Sequence, residues 1–245
     1  MSKRRVGLFA ALIAAVAALL FISSGCGGGA TKSGGLEKLD GPAILEKAKT
    51  AAAAKKSVHI HIKQVESGAT SVIDVGFADG ASGGTFDTPE AKFSFTIIGD
   101  TIYVKGDEGF LKGILGQAYT PAIAAKVTGK YISGPKSSPS LGSLSDFADM
   151  SEILNSVLSP EGTVTAVGAK EIDGIDTIGI SSKKDGTSDG ALYVANDGTD
   201  LPVAILPEAT AATSGSLRFD KWGTVEAISA PPADQIVTLA SLNLD

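Results

Sequence analysis

A single cysteine in 245 residues, Cys26, leaves this chain without a disulfide, so nothing covalent staples its fold. Histidine is almost as scarce, with His59 and His61 the only two. Two imidazoles on one short strand, with no second cysteine, make a poor metal site, and neither metal nor cofactor is expected. A Gly-x-Ser-x-Gly elbow and a phosphate-cradling loop that opens a helix with a lysine are both missing. Asp173 and Asp176 flank an Asp-Gly turn, where Asp serves the backbone, so paired-carboxylate chemistry is not expected either. These absences argue against an enzyme. Aromatic residues make up 6% of the chain, with one tryptophan, so bulky core fillers are few while alanine and glycine abound. Basic charge is also short. The chain carries −6 at neutral pH, which argues against nucleic acid and against adhesion to anionic lipid headgroups.

What charge the N-terminus has is organised. Lys3-Arg4-Arg5 precedes an apolar run from Val6 to Ile22, no acidic residue occurs before Cys26, and Ser23-Ser24-Gly25-Cys26 closes the run. The pattern reads as a lipoprotein signal peptide over residues 1–25, cleaved before Cys26, which then carries the lipid. Ser23 stands where the pattern usually has leucine, and an uncleaved membrane anchor is the alternative. Cleavage removes three basic residues and makes the mature chain still more acidic. Two or more acyl tails on Cys26 suffice for stable anchoring, which places the domain outside the cytoplasm, on the outer face of the cell membrane. Residues 26–39, rich in Gly and Ser, read as a flexible tether. Its nine residues from Gly27 to Gly35 would span about 15–20 Å. Residues 40–245 read as one domain.

Asp40 and Pro42 mark the start of a helix over 43–55, with Ile44, Leu45, Ala48, Ala51 and Ala52 on one stripe. From Ser57 the period changes to two, with Val58, Ile60 and Ile62 alternating against His59, His61 and Lys63. Further strands are expected at 71–78, 91–98, 101–105, 163–172, 177–182, 190–195, 201–206, 216–222 and 224–229. Turns at Gly99-Asp100, Asp173-Gly174 and Asp197-Gly198 separate neighbours. Helical spacing recurs at 108–117 and 143–158, and 133–140 reads as a loop. Hairpin runs with segregated helices predict an α+β domain, a curled antiparallel sheet of about ten strands clasping helices on its concave face.

Ala169-Lys170-Glu171-Ile172-Asp173-Gly174-Ile175-Asp176-Thr177-Ile178-Gly179-Ile180-Ser181 resembles the strand–turn–strand of the LprG/LppX family of actinobacterial lipoproteins. Ser216-Leu217-Arg218-Phe219-Asp220-Lys221-Trp222-Gly223 with Ala230-Pro231-Pro232 is similar to that family's closing strand pair and exit. The lipidation pattern, the tether and the Ser57-Val58-His59 strand entry are similar too. The resemblance implies a half-barrel like that of the carriers LolA and LolB, holding an acylated lipid or glycolipid in an apolar cavity and carrying it through the envelope. It brings no catalytic motif. The partners it implies are the lipid, the membrane through the anchor, and a membrane lipid exporter. The Gly-rich first half departs from the family and leaves cavity size and lipid class open.

The inward strand faces nominate the cavity wall: Val58, Ile60, Ile62, Ile73, Val75, Phe77, Phe93, Phe95, Ile97, Ile102 and Val104. Phe110, Leu111, Ile114 and Leu115 are nominated as a mouth or lid. The competing expectation is a non-catalytic envelope or signalling module in which these residues are plain core.

Overall fold

In the computed structural model the described residues are 33–184, 187–207 and 213–244. The expected signal segment, Cys26 and the start of the tether lie outside them. Among the described residues, no helix is long and apolar enough to cross a membrane. The class is α+β, with twelve strands and four α-helices among the described residues. Contacts divide the chain into two units, one of residues up to Ala54 with Val157–Arg218, the other of Lys55–Ser156 with Phe219–Asp245.

The second unit begins with a ladder of hairpins: β1 (Ser57–Glu66), β2 (Ala69–Ala78), β3 (Ala81–Asp87), β4 (Lys92–Ile98) and β5 (Thr101–Gly106). Two of its turns, Ser67-Gly68 and Asp79-Gly80, hold both residues at positive φ, which suits the right-handed twist of the strands they join. The chain then forms α2 (Glu108–Leu115), α3 (Pro121–Val127), β6 (Tyr131–Pro135) and α4 (Met150–Val157), whose last residue falls in the other unit, and closes with β12 (Ile236–Thr238). Strand order is β12-β6-β5-β4-β3-β2-β1. All these neighbours are antiparallel except β6 and β12, which pair in parallel.

The first unit holds α1 (Gly41–Ala53) and β7 (Thr163–Ile172), β8 (Ile175–Lys184), β9 (Thr187–Ala195), β10 (Pro202–Leu206) and β11 (Thr213–Asp220), whose last two residues fall in the other unit. Antiparallel pairing runs in sequence order from β7 to β11. The Asp40 carboxylate caps α1, accepting the Ala43 N–H at 2.9 Å. Ile44, Leu45, Ala48 and Ala52 are buried beneath it. Gly41 seats the helix on the sheet: a Cβ there would lie 2.8 Å from Thr165 Cα. A small core of Ile172, Ala195, Val203 and Ala204 is covered by Tyr193 and Leu206.

Several expectations need correction. The tether does not extend to residue 39. Leu36 is fully buried, its N–H bonds Asn196 Oδ1 at 3.0 Å, and Gly34 N–H bonds the Asn196 carbonyl at 2.6 Å. One apolar side chain and one asparagine thus pin a segment whose glycines suggested slack. Residues 133–135 belong to β6 rather than to a loop, because β5 offers them a free edge. Residues 224–229 form no strand. They cross a sheet face instead, with Val225 and Ile228 near Gly76 and Gly83. Strands β3, β6 and β12 are not among the expected strands, and β6 and β12 pair in parallel, within the expected α+β class and antiparallel hairpins.

Candidate functional site

Strand register in the second unit assembles the nominated residues into three rows on one face. The first runs Val58, Phe77, Ser82, Ile97, Ile102, Gly134. The second runs Ile60, Val75, Gly84, Phe95, Val104, Ile132, and the third Ile62, Ile73, Phe86, Phe93, Gly106. Alternation along each strand places all of them on the same side. No charged residue occurs in any row.

Helices and turns cover this face. Asp107 accepts the Phe110 N–H at 2.9 Å and the Lys92 N–H at 2.9 Å, which caps α2 and ties it to β4. The Phe110 amide holds the Asp107 carboxyl below the usual aspartate range. Phe110 stacks on Phe93 with ring centroids 4.1 Å apart. It fits because Gly106 beneath it has no side chain; a Cβ there would lie 2.8 Å from Phe93 Cβ. Phe93 stacks in turn on Phe86 at 4.6 Å. Phe147, from the turn before α4, meets Phe86 edge-on at 5.1 Å and Phe95 at 5.6 Å. Edge and offset contacts of this kind add about 0.5–1.5 kcal/mol per pair beyond burial.

Of the fifteen nominated residues, eleven are buried, while Ile62, Ile73, Phe93 and Ile114 are half-buried. Phe110, Leu111 and Leu115, nominated as a mouth or lid, are buried too. The first row has one polar member, Ser82. It is 0% exposed, and its hydroxyl has no hydrogen-bond partner among the described residues. Leaving a buried hydroxyl unpaired costs about 1–3 kcal/mol. Ser82 was not among the nominated residues, since only register reveals that it faces Phe77 and Ile97.

The opposite face of the same strands is polar. His59, Asp74, Thr85, Ser94 and Thr96 line a hollow of about 450 Å³ there, together with Gly76, Gly83, Gly84, Phe95, Tyr131, Val225 and Ile228. Phe95 is its one nominated residue. His59 Nδ1 lies 2.6 Å from Asp220 and its Nε2 3.3 Å from Asp74. His61 Nδ1 is 2.8 Å from the same Asp74 oxygen. The two histidines are thus engaged by carboxylates, and no group of three or more His, Cys, Asp or Glu among the described residues could hold a metal. In the first unit a hollow of about 260 Å³ is lined by Ser33, Ala169, Lys170, Glu171, Asp176, Thr177, Ile178 and Asn196. None of these is a nominated residue.

No family model matches the sequence, and no curated protein matches it. Solved structures do. LprF from Mycobacterium bovis is 16% identical, with a TM-score of 0.50 over 77% of this chain and 95% of that one. Lipoprotein LppX from Mycobacterium tuberculosis is 19% identical, with a TM-score of 0.47 over 77% of this chain and 99% of that one. MucB in the Pseudomonas aeruginosa MucA/MucB complex is 14% identical, at 0.36 over 79% and 59%. At these identities the likeness is one of fold, and the chain is similar in fold to LprF, in line with the LprG/LppX resemblance of its sequence.

Proposed function

We propose that this chain is a non-catalytic lipoprotein of the cell envelope, held to the outer face of the membrane through Cys26, that binds an acylated lipid and carries it through the envelope. The observation that supports this reading is the set of three charge-free rows on one sheet face of the second unit. An acyl chain laid along such rows exchanges one apolar surround for another. Each methylene kept from water is worth about 0.8 kcal/mol, so a shielded chain escapes a cost that an exposed one in transit would bear. The rows are covered by Phe110 and Phe147, so loading requires that cover to part. The donor or acceptor membrane protein would then be a lipid exporter.

The burial of eleven nominated residues favours a second reading, an interaction module with a closed core. Lipid content separates the two. Residues 36–245, expressed without Cys26 so that no covalent lipid interferes, are extracted and analysed by mass spectrometry. The carrier reading expects an acylated species above the level of a control protein. It fails if none co-purifies and incubation with lipid adds none. Ile97→Trp and Val75→Trp sharpen the result. In a face that opens, either reduces lipid loading more than stability; in a closed core, either costs about 1–3 kcal/mol by overpacking and no lipid phenotype exists.

A further inference from the structure

We propose that the Ser82 hydroxyl donates a hydrogen bond to the acyl carbonyl of the bound lipid, so that the ligand is selected as a neutral acyl ester. This deepens the lipid-binding reading and rests on it. Ser82 lies between Phe77 and Ile97 in register, fully buried, in a row that is otherwise hydrocarbon or glycine. Three other buried hydroxyls have partners. Thr177 donates to the Lys170 carbonyl, Ser138 accepts from the Ser140 N–H at 3.3 Å, and Ser57 accepts from the Val225 N–H at 3.3 Å. Among the described residues, Ser82 Oγ is the one hydroxyl oxygen that is fully closed to solvent and has no partner, and a native group left so calls for a partner.

The chemistry of that partner follows from the surroundings. A hydroxyl offers one donor and two acceptor lone pairs. No Lys, Arg or His stands in the three rows to balance a carboxylate, so a free fatty acid would bury its charge unpaired. A neutral acyl carbonyl brings a good acceptor, no charge, and hydrocarbon for the apolar neighbours on either side. An alkyl ether brings the same hydrocarbon without the carbonyl.

The test compares full-length wild type with Ser82→Ala. The probes are dioleoyl phosphatidylcholine, whose two chains are ester-linked, and its diether analogue of the same headgroup and chain length. Binding is titrated by native mass spectrometry. Wild type is expected to bind the diester about tenfold more tightly than the diether, equivalent to about 1.4 kcal/mol. Ser82→Ala is expected to bind both with the diether affinity of wild type. A wild type without preference, or a variant that keeps it, overturns the inference while lipid binding stands. Binding of neither probe overturns the lipid-binding reading and this inference with it.

Discussion

The two units use the same hairpin chemistry and arrive at different surfaces. In the second unit, matched register stacks β-branched and aromatic residues into continuous rows, and helices cover them. In the first, the outermost strand β7 is exposed at most of its positions, with Val167 52% exposed, while β8 is buried at six consecutive positions from Thr177 to Ser182. Strand β7 carries a bulge between Ala166 and Gly168, where Gly168 takes φ +106°. A bulge is a common way to blunt an unpaired edge. The contrast teaches that composition sets how much apolar surface the strands hold, whereas register decides whether that surface forms one face. The first unit has a single longer row of this kind, Ala166, Ile180, Leu192, Ile205 and Leu217, against three in the second.

The largest effects should come from buried side chains, and each should stay within its own unit. Phe95→Ala removes the ring that meets Phe86 and Phe147 and should cost about 3–5 kcal/mol. Leu36→Ala empties a fully buried position in the first unit and should cost about 2–5 kcal/mol. Hydrogen exchange read segment by segment checks the comparison. Phe95→Ala should lower protection in β3–β5, and Leu36→Ala in the Asn196 turn and α1. If both variants lower protection in both units alike, the division into two units does not describe how the protein opens.

Much of the fold was legible because local signals agreed. Asp40 and Pro42 at a helix start, the alternation from Val58, and the Asp173-Gly174 turn each carry their own physics. The nominated wall was legible as a face for the same reason, since period two in β1, β2, β4 and β5 is all that the rows require. Strand β3 escaped notice because Ala81–Asp87 contains Gly83 and Gly84, which weaken strand propensity, and its pairing is dictated by β2 and β4. Strands β6 and β12 are short and form through contacts remote in sequence. Whether a face is open or filled was not legible at all. That depends on Phe110 and Phe147 meeting Phe93, Phe86 and Phe95, contacts that no sequence period encodes. Ser82 was hidden likewise, a serine in a glycine-rich strand until register set it among Phe77 and Ile97.

Each unit also has one segment fastened by a carboxylate, and acid should loosen the two by small and separable amounts. In the second unit the Phe110 amide holds the Asp107 carboxyl below the ordinary aspartate range. In the first, the Asn196 amide, Nδ2 donating at 3.0 Å, does the same for Glu37. In both the folded state prefers the ionised form. The stability that each adds is therefore full above the unfolded values of about 4 and is lost as pH falls through the lower folded ones. Asp107→Asn and Glu37→Gln remove the titration while keeping an oxygen acceptor. Denaturant midpoints at pH 6 and pH 3 should fall less in either variant than in wild type, and less again in the double variant. Between pH 6 and pH 3 protection should fall more across α2 in wild type than in Asp107→Asn, and more across residues 33–38 than in Glu37→Gln. If wild type and the double variant lose the same stability on acidification, neither carboxylate fastens its segment, and the two anchors are packing alone.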